Sequence, residues 1–307
     1  AIALQYFAEQ RVDIAIMETG MGGRFDSTNI TDPLVSVITP ISLDHCEYLG
    51  DSLPAIAREK AGIIRPGRPV VTAGQDKAAM MVLEEHAAAG ASPLYLAGRE
   101  FTAIWRNGLL DFRGVSGSIT GLTPGLLGRH QAENASCALC AAELLADYGF
   151  IADPSACRLG VARASWPGRM ELFKGTPCIM LDGAHNPGGS RVLAGSLPDI
   201  PHKRINMVLG VMQDKDACSI LEPLAPLVSK VFAVSPSLER SMPAVELAAI
   251  VRGIGKNCML AGKVAEGVKM AVDDSAADDL VLVCGSLFTV GEARAFLMDR
   301  PCELVRG

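Results

Sequence analysis

Basic residues are not in excess: 28 Lys and Arg stand against 34 Asp and Glu, a net charge of -6. The sequence therefore offers no electrostatic footprint for nucleic acid. No apolar run approaches the roughly 20 residues that span a bilayer, and no basic-then-apolar signal opens the chain. The nine cysteines are an odd number scattered through apolar segments, which argues against a disulfide framework and for a reducing cytoplasm. One pair, Cys137 and Cys140, has CxxC spacing, but zinc would want a second pair or histidines at ligand distance. In an alanine-rich helical stretch the two read as packing. No internal repeat and no low-complexity segment is present. What remains is ordinary globular composition, 49% hydrophobic and 20% charged, over 307 residues. That length has room for about two domains of roughly 100–200 residues each.

The pattern along the chain alternates. A helix over Ile2 to Gln10 precedes a β-branched run, Val12 to Met17, which predicts a strand ending at Glu18 and a glycine cluster. A second strand is expected over Leu34 to Ile38, a helix over about Ser52 to Lys60 with Gly62 as its stop, a strand at Val70-Val71 and a helix over Lys77 to Ala89. Strands alternating with helices point to parallel βαβ units. From Leu94 to Thr120 short apolar stretches between turn residues predict a small antiparallel sheet, built from Leu94 to Leu96, Phe101 to Trp105, Leu109 to Phe112 and Ser118 to Thr120. A long helix follows, Asn134 to Tyr148. Residues 169–175 read as a linker between a domain over 1–168 and a second over 176–307. In the second, strands are expected at Cys178 to Leu181, Ile205 to Leu209, Val231 to Val234 and Leu280 to Cys284.

Open parallel sheets bind ligands outside the carboxyl ends of their strands. Glu18 and His45 are both expected at such ends, where a carboxylate is a hard-oxygen ligand for magnesium; a loop cap and a hydrogen-bonded histidine remain the alternative. The cluster Gly20-Met21-Gly22-Gly23 is not a dinucleotide fingerprint, because the third glycine would fall at Phe25. A positive φ or a close backbone approach suits Gly22 and Gly23. Asp182, His185 and Asn186 form a compact polar group after a strand, or else turn formers around Gly183 and Pro187. Lys60 sits where a cation suits a helix C-terminus. Arg169, in the linker, is solvated by default, though a guanidinium there suits phosphate oxygens.

Taken together, these blocks resemble the folylpolyglutamate synthase/dihydrofolate synthase family of Mur-type ligases. Glu18 to Asn29 resembles its E-x-G-x-G-G-R-x-D-x-T-N motif. Leu43-Asp44-His45, Glu59-Lys60-Ala61-Gly62, Gly128-Arg129-His130-Gln131 with Asn134, Gly168-Arg169, Asp182 to Pro187, Asp214-Lys215-Asp216 and Cys284 to Leu287 follow in the family's order. The resemblance implies an α/β fold: a parallel-sheet remnant of a Mur-type ATPase domain with a small antiparallel sheet, then a Rossmann-like α/β domain. It implies that Glu18 and His45 ligate magnesium, with Lys60 carried as a carbamate beside a second magnesium. Asp26 would bind the pterin substrate and Ser286 would lie near the glutamate end. Asn134, Arg169 and Asp182 would hold ATP. His185 would lie close to the same nucleotide, and Lys60 and His185 would serve catalysis. The implied reaction is ATP-dependent addition of L-glutamate to dihydropteroate or folate through an acyl phosphate, by a cytoplasmic monomer with no nucleic-acid or membrane partner.

One departure stands out. The family's phosphate loop, G-x-x-G-K-[ST], occurs nowhere in the sequence. Its place in the family is ahead of the Glu18 block, so the chain is expected to be part of a longer enzyme and inactive by itself. Two other readings stay open: another Mur-type ligase acting on a cell-wall precursor, against which the G-G-R-x-D-x-T-N block argues, and a non-catalytic folate- or nucleotide-binding relative.

Overall fold

The computed structural model describes residues 2–301. Contacts divide the chain into two units, one running to Phe101 and including Cys137–Ile151, the other made of Thr102–Ser136 and the residues from Ala152 onward.

The first unit opens with α1 (Ile2–Gln10). The strand expected over Val12 to Met17 does not form. Its β-branched residues favour extended backbone, but a strand also needs a neighbour to complete its ladder. This segment pairs with none among the described residues, and Ile16 is 90% exposed. The sheet instead consists of β1 (Ser36–Ile38), β2 (Val70–Thr72) and β3 (Leu94–Leu96), all parallel in that order. Leu94–Leu96 was expected in the antiparallel sheet; its register with β2 puts it in the parallel one, because the helix before it returns the chain to the same edge.

Between these strands lie α2 (Cys46–Leu49), α3 (Leu53–Ala61) and α4 (Lys77–Ala89). Ser52 and Gly62 flank α3, and the Asp76 side chain caps α4 by accepting from Ala78 N–H. Both longer helices lay their apolar stripes on the sheet, with Ile56, Ala57, Val70, Ala79 and Leu83 in one cluster.

The second unit begins with the antiparallel sheet β4 (Thr102–Arg106), β5 (Leu109–Arg113) and β6 (Ser118–Leu122). Then come α5 (Gln131–Leu144), which runs on into the first unit, and α6 (Pro154–Arg163). The stretch read as a linker contains an edge strand, β7 (Glu171–Phe173), antiparallel to β8 (Cys178–Leu181). After α7 (Pro187–Ser196) the chain alternates through β9 (Ile205–Leu209), α8 (Ala217–Leu221), β10 (Lys230–Val234), α9 (Ala244–Gly253), β11 (Cys258–Gly262), α10 (Val264–Asp273), β12 (Leu280–Cys284) and α11 (Leu287–Leu297). The sheet order is β11-β10-β9-β12-β8-β7, parallel except for β7. Strands β9 and β12 are buried along their whole length, as a parallel sheet covered on both faces requires. Separate apolar clusters fill the two faces. This is the Rossmann-like α/β arrangement read from the sequence. No helix among the described residues is long and apolar enough to cross a membrane.

Candidate functional site

In the first unit the glycine-rich motif folds as a loop held on the end of α3. Arg24 N–H donates to the Glu59 carbonyl at 2.7 Å, and Asn29 Nδ2 donates to the carbonyls of Arg24 and Gly62 at 3.0 and 3.1 Å. Arg65 in turn donates to Asn29 Oδ1 at 3.0 Å. A Cβ at Gly23 would lie 2.8 Å from the Glu59 carbonyl oxygen, and one at Gly62 would lie 2.4 Å from Arg24 Cβ. These two glycines exist for close approach, whereas Gly22 has the positive φ, +67°.

Asp26 closes the loop from inside. Its Oδ2 accepts from Gly20 and Met21 N–H at 2.9 and 3.0 Å, and its Oδ1 accepts from Thr28 N–H at 2.9 Å and Thr28 Oγ1 at 2.6 Å. The Thr28 hydroxyl and amide lead the donors that hold its pKa down at about 2. Two oxygens accepting four donors fill the capacity of a carboxylate. The residue read as a substrate ligand is thus, in its geometry, the organiser of the loop.

Glu18 and His45 are both exposed, and neither ends a strand. Glu18 follows the unpaired segment, while His45 stands in the left-handed region (φ 51°) ahead of α2, its N–H bonded to Asp44 Oδ1. Among the described residues no group of three or more His, Cys, Asp or Glu side chains is set to hold a metal ion. Lys60 is half-buried, and burial pushes its pKa below the ordinary lysine value, with the Asp44 carboxylate pulling the other way. Asp44 is a residue that sequence reasoning missed, since nothing in the spacing announces that its charge reaches Lys60.

In the second unit three of the residues read as nucleotide ligands, Arg169, Asp182 and His185, meet beyond the carboxyl end of β8. Asp182 accepts from Met170 N–H at 3.0 Å and Ala184 N–H at 2.9 Å, tying the segment after Arg169 to the loop after β8. Burial raises its pKa, opposed by those two amides and by the charges of Arg169 and His185. His185 Nδ1 lies 2.8 Å from the Gly183 carbonyl, the contact of a ring N–H donating. Arg169 is exposed, and its charge also bears on His130. Asn134, in the first turn of α5, donates through Nδ2 to Gln131 Oε1 at 3.0 Å. His130 and Gln131 carry no role in the sequence reading; the only signal for them is their presence in the Gly128 block.

Ser286 is 2% exposed and caps α11: its Oγ accepts from Thr289 N–H at 3.0 Å and bonds Thr289 Oγ1 at 2.7 Å, which donates to the Gly210 carbonyl at 2.9 Å. Its hydroxyl is consumed within the fold.

Two family models match the chain: the Mur ligase middle domain over residues 2–142, and the Mur ligase glutamate ligase domain over residues 168–287. A probable bifunctional folylpolyglutamate synthase/dihydropteroate synthase of Halobacterium salinarum is 38% identical, over 96% of this chain and 36% of its own length. A dihydrofolate synthase/folylpolyglutamate synthase of Bacillus subtilis is 33% identical, over 96% of this chain and 70% of its own. The chain thus spans about a third of the first and 70% of the second. A solved bifunctional folylpolyglutamate synthase/dihydrofolate synthase holding Mn, AMPPNP and L-glutamate superposes with a TM-score of 0.85 at 31% identity, covering 96% of this chain and 70% of that one.

Proposed function

The chain belongs to the folylpolyglutamate synthase/dihydrofolate synthase family of Mur ligases, ATP-dependent ligases, and from that premise we propose that it binds ATP and serves the addition of L-glutamate to dihydropteroate or folate. The observation that carries this reading is the meeting of Arg169, Asp182 and His185, linked by backbone amides and by charge, with Asn134 in the same unit.

The groups suit the parts of a nucleotide. A side-chain amide such as Asn134 matches the donor–acceptor edge of adenine. The exposed guanidinium of Arg169 suits phosphate oxygens, and holding it against a transferring phosphoryl group offsets charge that develops there. Asp182 keeps Arg169 and His185 in register by gripping the backbone beside each, and so would hold His185 close to the same nucleotide. ATP phosphorylates the substrate carboxylate, and the amine of L-glutamate then attacks the acyl phosphate and releases phosphate.

Glu18, His45 and Lys60 are the residues that would hold magnesium, at two sites with Lys60 as a carbamate. The carboxylate of Glu18 and a carbamate on Lys60 would supply the one or two protein oxygens magnesium takes. Such an ion supplies neutralisation of phosphate charge. Asp26 and Ser286 act on the pterin and glutamate sites through the loops they organise.

A boundary near residue 168 is supported by the family spans, which end at 142 and resume at 168, and the second domain then takes in residues 169–175 with β7 as well as 176–307. The acidic balance gives no electrostatic footprint for nucleic acid, and described cysteines outside disulfides suit a reducing cytoplasm.

Calorimetric titration of ADP tests the nucleotide reading. Saturable binding, weakened about tenfold or more by Arg169→Ala, is the expected result, the loss of a charge-assisted contact. Binding that Arg169→Ala leaves unchanged overturns it.

A further inference from the structure

His130 Nδ1 is buried without a hydrogen-bond partner, and its ring is packed so closely on Gly128 that a Cβ there would lie 2.5 Å from Cε1. The other ring nitrogen, Nε2, lies 2.9 Å from Gln131 Nε2. Gln131 is 3% exposed, and its Oε1 accepts from Asn134 Nδ2 at 3.0 Å. A polar chain therefore runs from a half-buried imidazole through a buried amide to the half-buried amide of Asn134.

Chemistry gives that chain a direction. With the Gln131 amide nitrogen facing it, His130 Nε2 must offer a lone pair, so the ring is neutral with its proton on Nδ1, a buried N–H that has no acceptor. Burial and the charge of Arg169 both push the His130 pKa down, so the neutral ring prevails at neutral pH. With its nitrogen committed to His130, Gln131 turns Oε1 toward Asn134. Asn134 cannot rotate its amide by half a turn without setting Oδ1 against that oxygen, acceptor against acceptor. It is left presenting one Nδ2 hydrogen and Oδ1 side by side.

We propose that His130 and Gln131 are positioning residues that lock the Asn134 amide in the orientation that selects adenine. Adenine offers an N6 amine donor beside the N7 acceptor, the complement of that fork. A hypoxanthine base offers O6 and N7, two acceptors, and sets O6 against Asn134 Oδ1. The inference rests on the nucleotide reading of Asn134 given above.

The test compares ADP with inosine diphosphate by calorimetric titration of the chain. The wild-type chain prefers ADP by about tenfold or more, the discrimination of one bidentate pair. Gln131→Leu removes the lock and brings the two affinities within about twofold by freeing the amide to rotate. Gln131→Glu restores the preference, because a carboxylate accepts from Asn134 Nδ2 and takes Nε2–H from the other His130 tautomer. Nitrogen NMR of the histidine rings adds a readout that needs no variant: the expected His130 signal has Nδ1 protonated and Nε2 bare. An Nε2–H tautomer in the wild-type chain overturns the proposal. A preference lost in Asn134→Ala but kept in Gln131→Leu overturns the lock alone. A wild-type chain that binds neither nucleotide, or both alike, overturns the lock and the nucleotide reading together.

Discussion

Asp26 and Lys60 carry opposite perturbations for different physical reasons. The carboxylate is stabilised by four donors from its own loop; the ammonium is penalised by burial. With its folded pKa depressed to about 2, Asp26 contributes stability that is fully present above the ordinary value of about 3.9 and is lost as pH falls through about 2. Amide hydrogen exchange at Met21 and Thr28 should therefore accelerate across that window, and Asp26→Asn should reproduce the effect at neutral pH by placing an NH2 against two N–H donors. For Lys60 the lowered pKa enlarges the neutral-amine fraction that carbamylation needs. In an active ligase carrying this Lys60 block, Lys60→Arg should abolish glutamate incorporation, because guanidinium forms no carbamate; an arginine variant with normal turnover returns Lys60 to the role of a helix-end cation. The motif that made these residues legible did not reveal their duties. Asp26 looked like a ligand because its partners lie in the loop's own backbone, invisible until the loop closes.

At the scale of elements, the loop on α3 and the cap of α11 are the joints that shape the two candidate sites. Gly23→Ala drives a methyl against the Glu59 carbonyl at 2.8 Å and should cost about 1–3 kcal/mol, the usual range for overpacking, measured by thermal denaturation. Ser286→Ala removes the α11 cap and leaves the buried Thr289 hydroxyl a partner short. A loss of about 1–2 kcal/mol in urea unfolding is expected, while Ser286→Thr retains most of it. A glutamate site contacted directly by Ser286 would instead lose binding with little change in stability. Elements with a strong local signal, α4 and β9 among them, were legible to the residue because period, cap and burial agree. The run Val12 to Met17 was not, since its propensity is local and its pairing is not.

For the whole molecule, the sequence carries Arg169, Asp182 and the glycine loop but no G-x-x-G-K-[ST] segment, the nest of N–H groups and lysine that cradles phosphates. The purified chain should show no glutamate-dependent phosphate release above a contaminant control, and release at the rate of an intact ligase would refute that expectation. The amino-acid order by itself determined the α/β class, most element positions and the family, because helix and strand periods, caps and short motifs are local properties of the chain. Tertiary structure alone decided that Leu94–Leu96 joins the parallel sheet, that Asp26 and Ser286 spend their oxygens within the fold, and that Gln131 stands between His130 and Asn134. Register, burial and the direction of a hydrogen bond depend on groups that meet only when the backbone has folded, so no pattern of residue types along the sequence encodes them in readable form.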